Sequence, residues 1–269
     1  MKPMQLKSCV GFFELYLLIL LHKSRYLTIL QNYDIIEIEF KTKRGMIMGL
    51  FDKFKKKEIA PQEVEAELNA PGWDAIDEEA KRVYPGQDNP KHYASLIKWE
   101  FGGPDPLDGI SIYDAGDYWH FVTYGLSELY EKTSENKEYS GYGMEFTFKL
   151  KKGCYTDEEQ EIKCICGLLQ QIARLTFKNN MIFNSFEYLY TGQTVGIDSK
   201  QASNITGFIT IPDTKFQTLD TKNGKVNFVE FIGATNNELL ALKNKEIDVR
   251  ALYSKIGSDV TDYNRSSVI

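Results

Sequence analysis

No pair of cysteines or histidines in this sequence has a metal-binding spacing. The four cysteines are Cys9, Cys154, Cys164 and Cys166, too few to staple a chain of this length with disulfides. A single residue separates Cys164 from Cys166 where a zinc knuckle uses two, and no second pair follows. These thiols are expected to be free, which suits a reducing cytoplasm. Nucleophile-elbow and H-E-x-x-H patterns are also missing. Gly102-Gly103 leads into Pro104 and Pro106, which lack the N–H groups a phosphate-binding loop needs. The longest apolar run, Cys9–Leu21, is interrupted by Glu14 and is shorter than the ~20 residues of a membrane span. No cofactor is expected.

A basic stripe is lacking too. The formal net charge is -6, and residues 1–47 hold seven Lys/Arg against four Asp/Glu, so the remainder sums to -9. Such a body cannot neutralise phosphates, which argues against direct nucleic-acid binding. It suits a basic protein partner, because complementary charge raises encounter rates. Aromatics are abundant, at 13%, and serve both cores and recognition surfaces.

Three regions are distinguished. Residues 1–47 read as a doubtful extension. Their apolar run resembles a signal-peptide core but is followed by His22-Lys23-Ser24-Arg25 rather than a small-residue cleavage site. Met48-Gly-Leu-Phe-Asp-Lys-Phe-Lys-Lys-Lys looks like a protein start, so translation is expected to begin at Met46 or Met48. Residues 48–70 form a basic amphipathic segment and a linker running into a short helix. Residues 48–57 offer at most weak contact with an anionic membrane surface. Residues 71–269 form the main domain.

Within that domain, Pro71-Gly72 reads as a breaker, with Asp74 or Asp77 capping a helix through Val83 that ends at Pro85-Gly86. Ala94–Phe101 is a mixed run with strand character, and Gly102–Gly109 is a structured loop. Strands are expected at Ile110–Tyr113, Tyr118–Tyr124, Met144–Leu150 and Phe208–Ile211. The strict alternation of Met144–Leu150 predicts one buried and one wetted face. Leu168, Ile172 and Leu175 share a helical face. Asn223-Gly224 marks a hairpin of type I′ character. Thr235–Glu238 is a capping box. The mixture favours an α+β fold: a mixed, largely antiparallel sheet with flanking helices.

Three segments follow one another in order: Gly102-Gly-Pro-Asp-Pro-Leu-Asp-Gly109, then Trp119-His-Phe-Val-Thr-Tyr-Gly-Leu-Ser-Glu-Leu-Tyr130, then Gly141-Tyr-Gly-Met-Glu-Phe-Thr-Phe-Lys-Leu150. This series resembles the suppressor-of-fused family, and the likeness runs over residues 71–269. The resemblance implies a single suppressor-of-fused-like domain of the bacterial kind, and a binding module rather than an enzyme. Animal members clamp an extended peptide of zinc-finger transcription factors between two subdomains. Many bacterial relatives are thought to be immunity proteins that neutralise toxins, including nucleases. The expected partner is therefore another protein, a cognate toxin and candidate basic nuclease. A scaffold or regulator of a housekeeping protein is the alternative reading.

Peptide clamping needs aromatic anchors and a few charges. Trp119, Phe121, Tyr124, Glu128 and Tyr130 supply that mixture, with Asp105 and Asp108 as acidic contacts or as turn-stabilising residues. In a Trp119–Tyr124 strand, Trp119, Phe121 and Thr123 face one way and His120, Val122 and Tyr124 the other, so one set is core. His92 and His120 with Asp105 and Asp108 contain the atoms of a metal-assisted hydrolase, but no spacing demands one.

Overall fold

The computed structural model describes residues 69–269; expectations for residues 1–47 and for the segment up to residue 68 lie outside it. Helix α1 (Pro71–Val83) begins on the proline that the sequence reading took as a breaker. In the first turn a fixed φ is preorganised and the missing N–H has no helical partner to lose. Gly72 donates its N–H to the Leu129 carbonyl (3.0 Å). A Cβ on Gly72 would overlap the Glu128 carbonyl oxygen, so only glycine lets the helix dock there.

Strand β1 (Lys91–Ala94) is shorter and earlier than the run expected at 94–101, where Trp99–Phe101 instead forms a 3-10 turn closed by Gly102 in the left-handed region. Strands β2 (Gly109–Asp114), β3 (Tyr118–Tyr124) and β4 (Tyr139–Lys151) continue the meander. Helix α2 (Glu158–Asn179) then crosses the sheet; the Asp157 carboxylate caps it by accepting from Gln160 N–H, and acidic residues fill its first turn. After β5 (Tyr188–Leu189), β6 (Ile205–Pro212), β7 (Leu219–Thr221) and β8 (Gly224–Thr235) come helices α3 (Asn236–Lys243) and α4 (Val249–Ile256).

The eight strands make one sheet in the order β1-β2-β3-β4-β8-β6-β5, with β7 on β8. All pairings are antiparallel except β4 with β8. The α+β expectation, mixed and largely antiparallel, is thus met. The Thr235–Glu238 capping box forms as read. The β7–β8 hairpin forms as well, but its turn is not type I′: neither Lys222 nor Asn223 has positive φ, and the left-handed residue is Gly224.

Both faces of the sheet are covered. On one, Ile162, Ile165, Leu169 and Ile172 of α2 share a core with Phe121, Phe146, Phe148 and Phe231. Leu168 and Leu175, expected on that stripe, are only half-buried. On the other, Ile76 and Ala80 of α1 join Tyr84, Val122, Tyr124 and Phe216. A third cluster packs Leu239, Leu242, Val249 and Leu252 against Ile209, Ile211 and Ile232. Consequently the polar residues of β4 are not wetted: Glu145, Thr147 and Lys149 are as buried as the phenylalanines between them. Alternation reports the two faces correctly but not what lies over each.

Candidate functional site

The buried polar side chains of the sheet form two networks. In the first, His120 on β3 lies between Tyr84 and Asp213: the Tyr84 hydroxyl meets Nδ1 at 2.7 Å and Asp213 Oδ2 meets Nε2 at 2.9 Å. An ionised Asp213 can only accept, so Nε2 carries the proton and Nδ1 accepts from Tyr84. Burial holds the imidazole below its ordinary pKa, while the His120 and Lys149 contacts hold Asp213 well below the usual carboxylate range despite its desolvation. Thr147 donates to the same Asp213 oxygen at 2.6 Å. Lys149 donates to Glu230 (2.9 Å), Asp259 (2.7 Å) and Thr214 (2.7 Å). Burial raises Glu230 well above its normal value, and its Oε1 has no hydrogen-bond partner among the described residues. This is a buried structural seam joining β3, β4, β8, the segment after β6 and the C-terminal segment.

In the second network, Glu145 on β4 accepts from the N–H groups of Gly125 (3.0 Å) and Ser127 (2.9 Å) and from the hydroxyls of Ser127 (2.6 Å) and Thr123 (2.7 Å). It fixes the backbone that follows β3. That backbone floors an open groove of about 190 Å³ lined by Lys98, Trp99, Asp108, Leu129, Tyr130 and Phe177 among others. Trp99 points inward, edge-on to Phe177 at 5.7 Å. Lys98 spans the groove, 3.2 Å from Asp108 and 4.1 Å from the centre of the Tyr130 ring. At its rim Leu96, Ile97 and Phe101 are 88%, 55% and 76% exposed. Three large apolar side chains within six residues, two in the bend before the 3-10 turn and one at its end, form a patch of the kind that marks protein contact.

The sequence-derived contact residues divide accordingly. Phe121 and Tyr124 are fully buried on opposite faces and Trp119 is nearly so, because the sheet is covered on both sides; none is presented to a partner. Both sets of β3 side chains are therefore core, rather than one. Glu128 is a loop organiser: it accepts from the N–H groups of Thr133 (2.6 Å), Ser134 (2.5 Å) and Gly141 (2.9 Å) and from Lys132 (2.9 Å). Those donors hold its carboxyl down at about 2. Asp105 pairs with Arg174. Tyr130 and Asp108 alone line the groove. The patch at Leu96, Ile97 and Phe101 was missed. The composition of 94–101 reads as a strand, although the Gly102-Gly103 that ends it signals a turn.

Nor do the four hydrolase candidates converge. His120 is sealed in its network, Asp105 and Asp108 hold Arg174 and Lys98, and His92 Nδ1 meets Ser111 Oγ at 2.9 Å. Among the described residues no His/Cys/Asp/Glu group could hold a metal ion. No helix among them is long and apolar enough to cross a membrane.

The model of the family described as suppressor of fused protein matches residues 103–266. The chain belongs to the suppressor-of-fused family. Human and mouse suppressor of fused homologues are each 32% identical over 184 residues, which is 62% of this chain and 36% of theirs. The chain thus spans about a third of the length of these relatives. A crystal structure of the Sufu–Fu complex superposes with a TM-score of 0.63 at 27% identity, covering 74% of this chain and 93% of that one. Drosophila Suppressor of Fused gives 0.64 at 26% identity, covering 78% and 54%. The suppressor-of-fused domain is known as a protein-interaction module.

Proposed function

We propose that this chain is a non-catalytic protein-binding module of 71–269 whose partner face is the groove between Lys98 and Tyr130 and its rim of Leu96, Ile97 and Phe101, and that it works in the cytoplasm as an immunity protein sequestering a cognate toxin. The exposed apolar rim carries the reading: water contact with three such side chains is relieved only by a partner. The Sufu–Fu complex supports a protein ligand, since a fold of this kind is seen there bound to another protein. The acidic body, -9 beyond residue 47, favours a basic toxin such as a nuclease. Lys98, Asp108 and Tyr130 supply the polar contacts that set register.

Co-expression with the product of the adjacent gene tests this. Rescue of growth and a stable complex are expected. Leu96→Asp and Phe101→Asp, both on exposed side chains, are expected to abolish rescue while leaving the thermal melt unchanged. A complex that forms equally well with both variants refutes the groove; a neighbouring product that is neither toxic nor bound refutes the immunity role.

A further inference from the structure

Glu145 lies beneath the groove, and only neutral groups bond its carboxyl. The side chain is fully buried on β4, and every hydrogen bond to it comes from one stretch of chain, Thr123 to Ser127. Among the described residues no Lys, Arg or His nitrogen comes within ion-pair distance of it. A buried carboxyl without a cation favours its neutral form. The charged and titratable groups on the surrounding elements are Asp77 of α1 behind the Tyr124 hydroxyl, Asp108 with Lys98 beyond Gly125, Glu128 in the same loop, and Lys149 and Glu230 farther along β4 and β8. None of them bonds Glu145.

The four contacts accommodate either protonation state. Oε1 accepts from the N–H groups of Gly125 and Ser127 and from the Ser127 hydroxyl. Oε2 meets the Thr123 hydroxyl alone, at 2.7 Å. Thr123 Oγ1 also accepts from Phe146 N–H at 2.8 Å. A hydroxyl can donate to an ionised oxygen or accept from a protonated one, whereas an N–H can only donate. The proton of a neutral Glu145 therefore sits on Oε2, and all four contacts survive. The cover over this carboxyl is thin. Gly125 and Ser127 line the groove, and Gly125 is only half-buried. With φ at +124°, Gly125 passes so close to the Asp108 nitrogen that a Cβ would not fit.

We propose that Glu145 is a proton-operated lock on the groove: protonated, it holds the Gly125–Ser127 turn shut on β4; ionised, it lets that turn open to water. Lifting the turn hydrates the carboxyl from the groove side without parting the strands. Burial raises the closed-state carboxyl from 4.5 to about 7, and opening returns it to its ordinary value. The open form therefore binds fewer protons and gains on the closed form as pH rises from 4.5 to 7. The groove wall is complete on the acid side of neutrality and breaks up on the alkaline side. That a partner feels this rests on reading the groove as the partner face; the lock itself does not.

Amide exchange of the free full chain, corrected for the intrinsic effect of pH, tests it. From pH 5 to pH 7 the protection of the Gly125 and Ser127 amides is expected to fall about fortyfold. It should also stay below that of Phe148 and Phe231, whose amides lie in the central strand pair and open only with the whole sheet. Glu145→Gln keeps the neutral contacts, its Nε2 donating to Thr123, and is expected to show flat protection over the same range. Unchanged protection in the wild type, the same fall in Glu145→Gln, or loop amides as protected as the core overturns the lock. If Glu145→Gln does not fold, the wild-type profile decides alone. Leu96→Asp and Phe101→Asp are expected to leave the exchange profile unchanged, so failure of the partner face and failure of the lock are separable.

Discussion

Replacing Lys149 with methionine removes the cation at the centre of the buried seam while keeping most of its volume. Its Nζ lies 2.9 Å from Glu230, 2.7 Å from Asp259 and 3.9 Å from Asp213, and its side chain is fully buried. Removing one member of a buried ion pair leaves uncompensated charge and costs about 3–5 kcal/mol. The loss is carried by Asp213 and Asp259, both held below their normal pKa partly by Lys149. Burial pushes the Glu230 carboxyl well above its ordinary pKa, which disfavours its charged form. Glu230→Gln should therefore cost less than Lys149→Met, because the charge it removes is one that burial already disfavours. Urea unfolding at pH 7 followed by circular dichroism measures both. For a domain of this size Lys149→Met should lower Tm by about 6–20 °C at roughly 2–4 °C per kcal/mol. A loss under about 1 kcal/mol for Lys149→Met would show the seam to be wet or rearranged, and a Glu230→Gln cost equal to it would show that Glu230 is ionised.

Three further outcomes follow from single contacts. Gly72→Ala drives a methyl into the Glu128 carbonyl and should destabilise by about 1–3 kcal/mol as overpacking does; a neutral chemical-denaturation midpoint would mean that α1 does not dock there. Glu145 is raised from 4.5 to about 7 by burial, so its contribution is fully present below pH 4.5 and lost as pH rises through 7; the stability difference between wild type and Glu145→Gln should shift against wild type by ~3 kcal/mol across that window, at ~1.4 kcal/mol per pKa unit, and a flat difference refutes it. Glu128 is lowered to about 2, so its support for the loop after β3 is present above pH 4.5 and fades as pH falls toward 2; amide exchange at Ser134 and Gly141 should accelerate over that acid range in wild type and already be fast at neutral pH in Glu128→Ala.

What the sequence showed and hid has a physical pattern. Strand β3 was legible to the residue, because a run of aromatic and β-branched residues suits only a pleated surface. The capping box was legible because it is local, with Thr235 and Glu238 each bonding the other's backbone three residues away. Register-level periodicity also named the two faces of β4 correctly. It could not show that Glu145, Thr147 and Lys149 would be roofed over, since Asp213 and Asp259, which face Lys149, are remote in sequence. The same gap put Phe121 and Tyr124 among surface candidates: an aromatic on a strand looks alike whether solvent or a helix covers it, and here α2 covers Phe121 and α1 covers Tyr124. The groove rim was hidden for the opposite reason. Leu96, Ile97 and Phe101 have strand-like composition, but the chain there turns instead of extending: Trp99–Phe101 is a 3-10 turn, and the Gly103 backbone packs so close to the Ile97 carbonyl that a Cβ would not fit.

The C-terminal segment shows how far one cation can reach. Arg265 donates to both oxygens of Glu238, at 2.6 and 2.7 Å, and to the Gly233 carbonyl at 2.7 Å. Glu238 is itself the acidic half of the Thr235 capping box and also accepts from Val268 N–H at 3.0 Å. One fully buried carboxylate thus ties the start of α3 to β8 and to the segment that crosses back over the sheet, where Thr261 bonds Lys149 and Gly233. Arg265→Met should cost about 3 kcal/mol, within the range for breaking a buried pair, while Glu238→Gln alone should cost about as much because it unmakes the cap and the bidentate contact together. If the two groups act as one unit, the double variant costs little more than either single one, and the cycle returns a coupling of about 1–3 kcal/mol. Strictly additive losses would mean that Arg265 and Glu238 stabilise separate parts of the fold, and that the return segment is held by Asp259 and Thr261 without them.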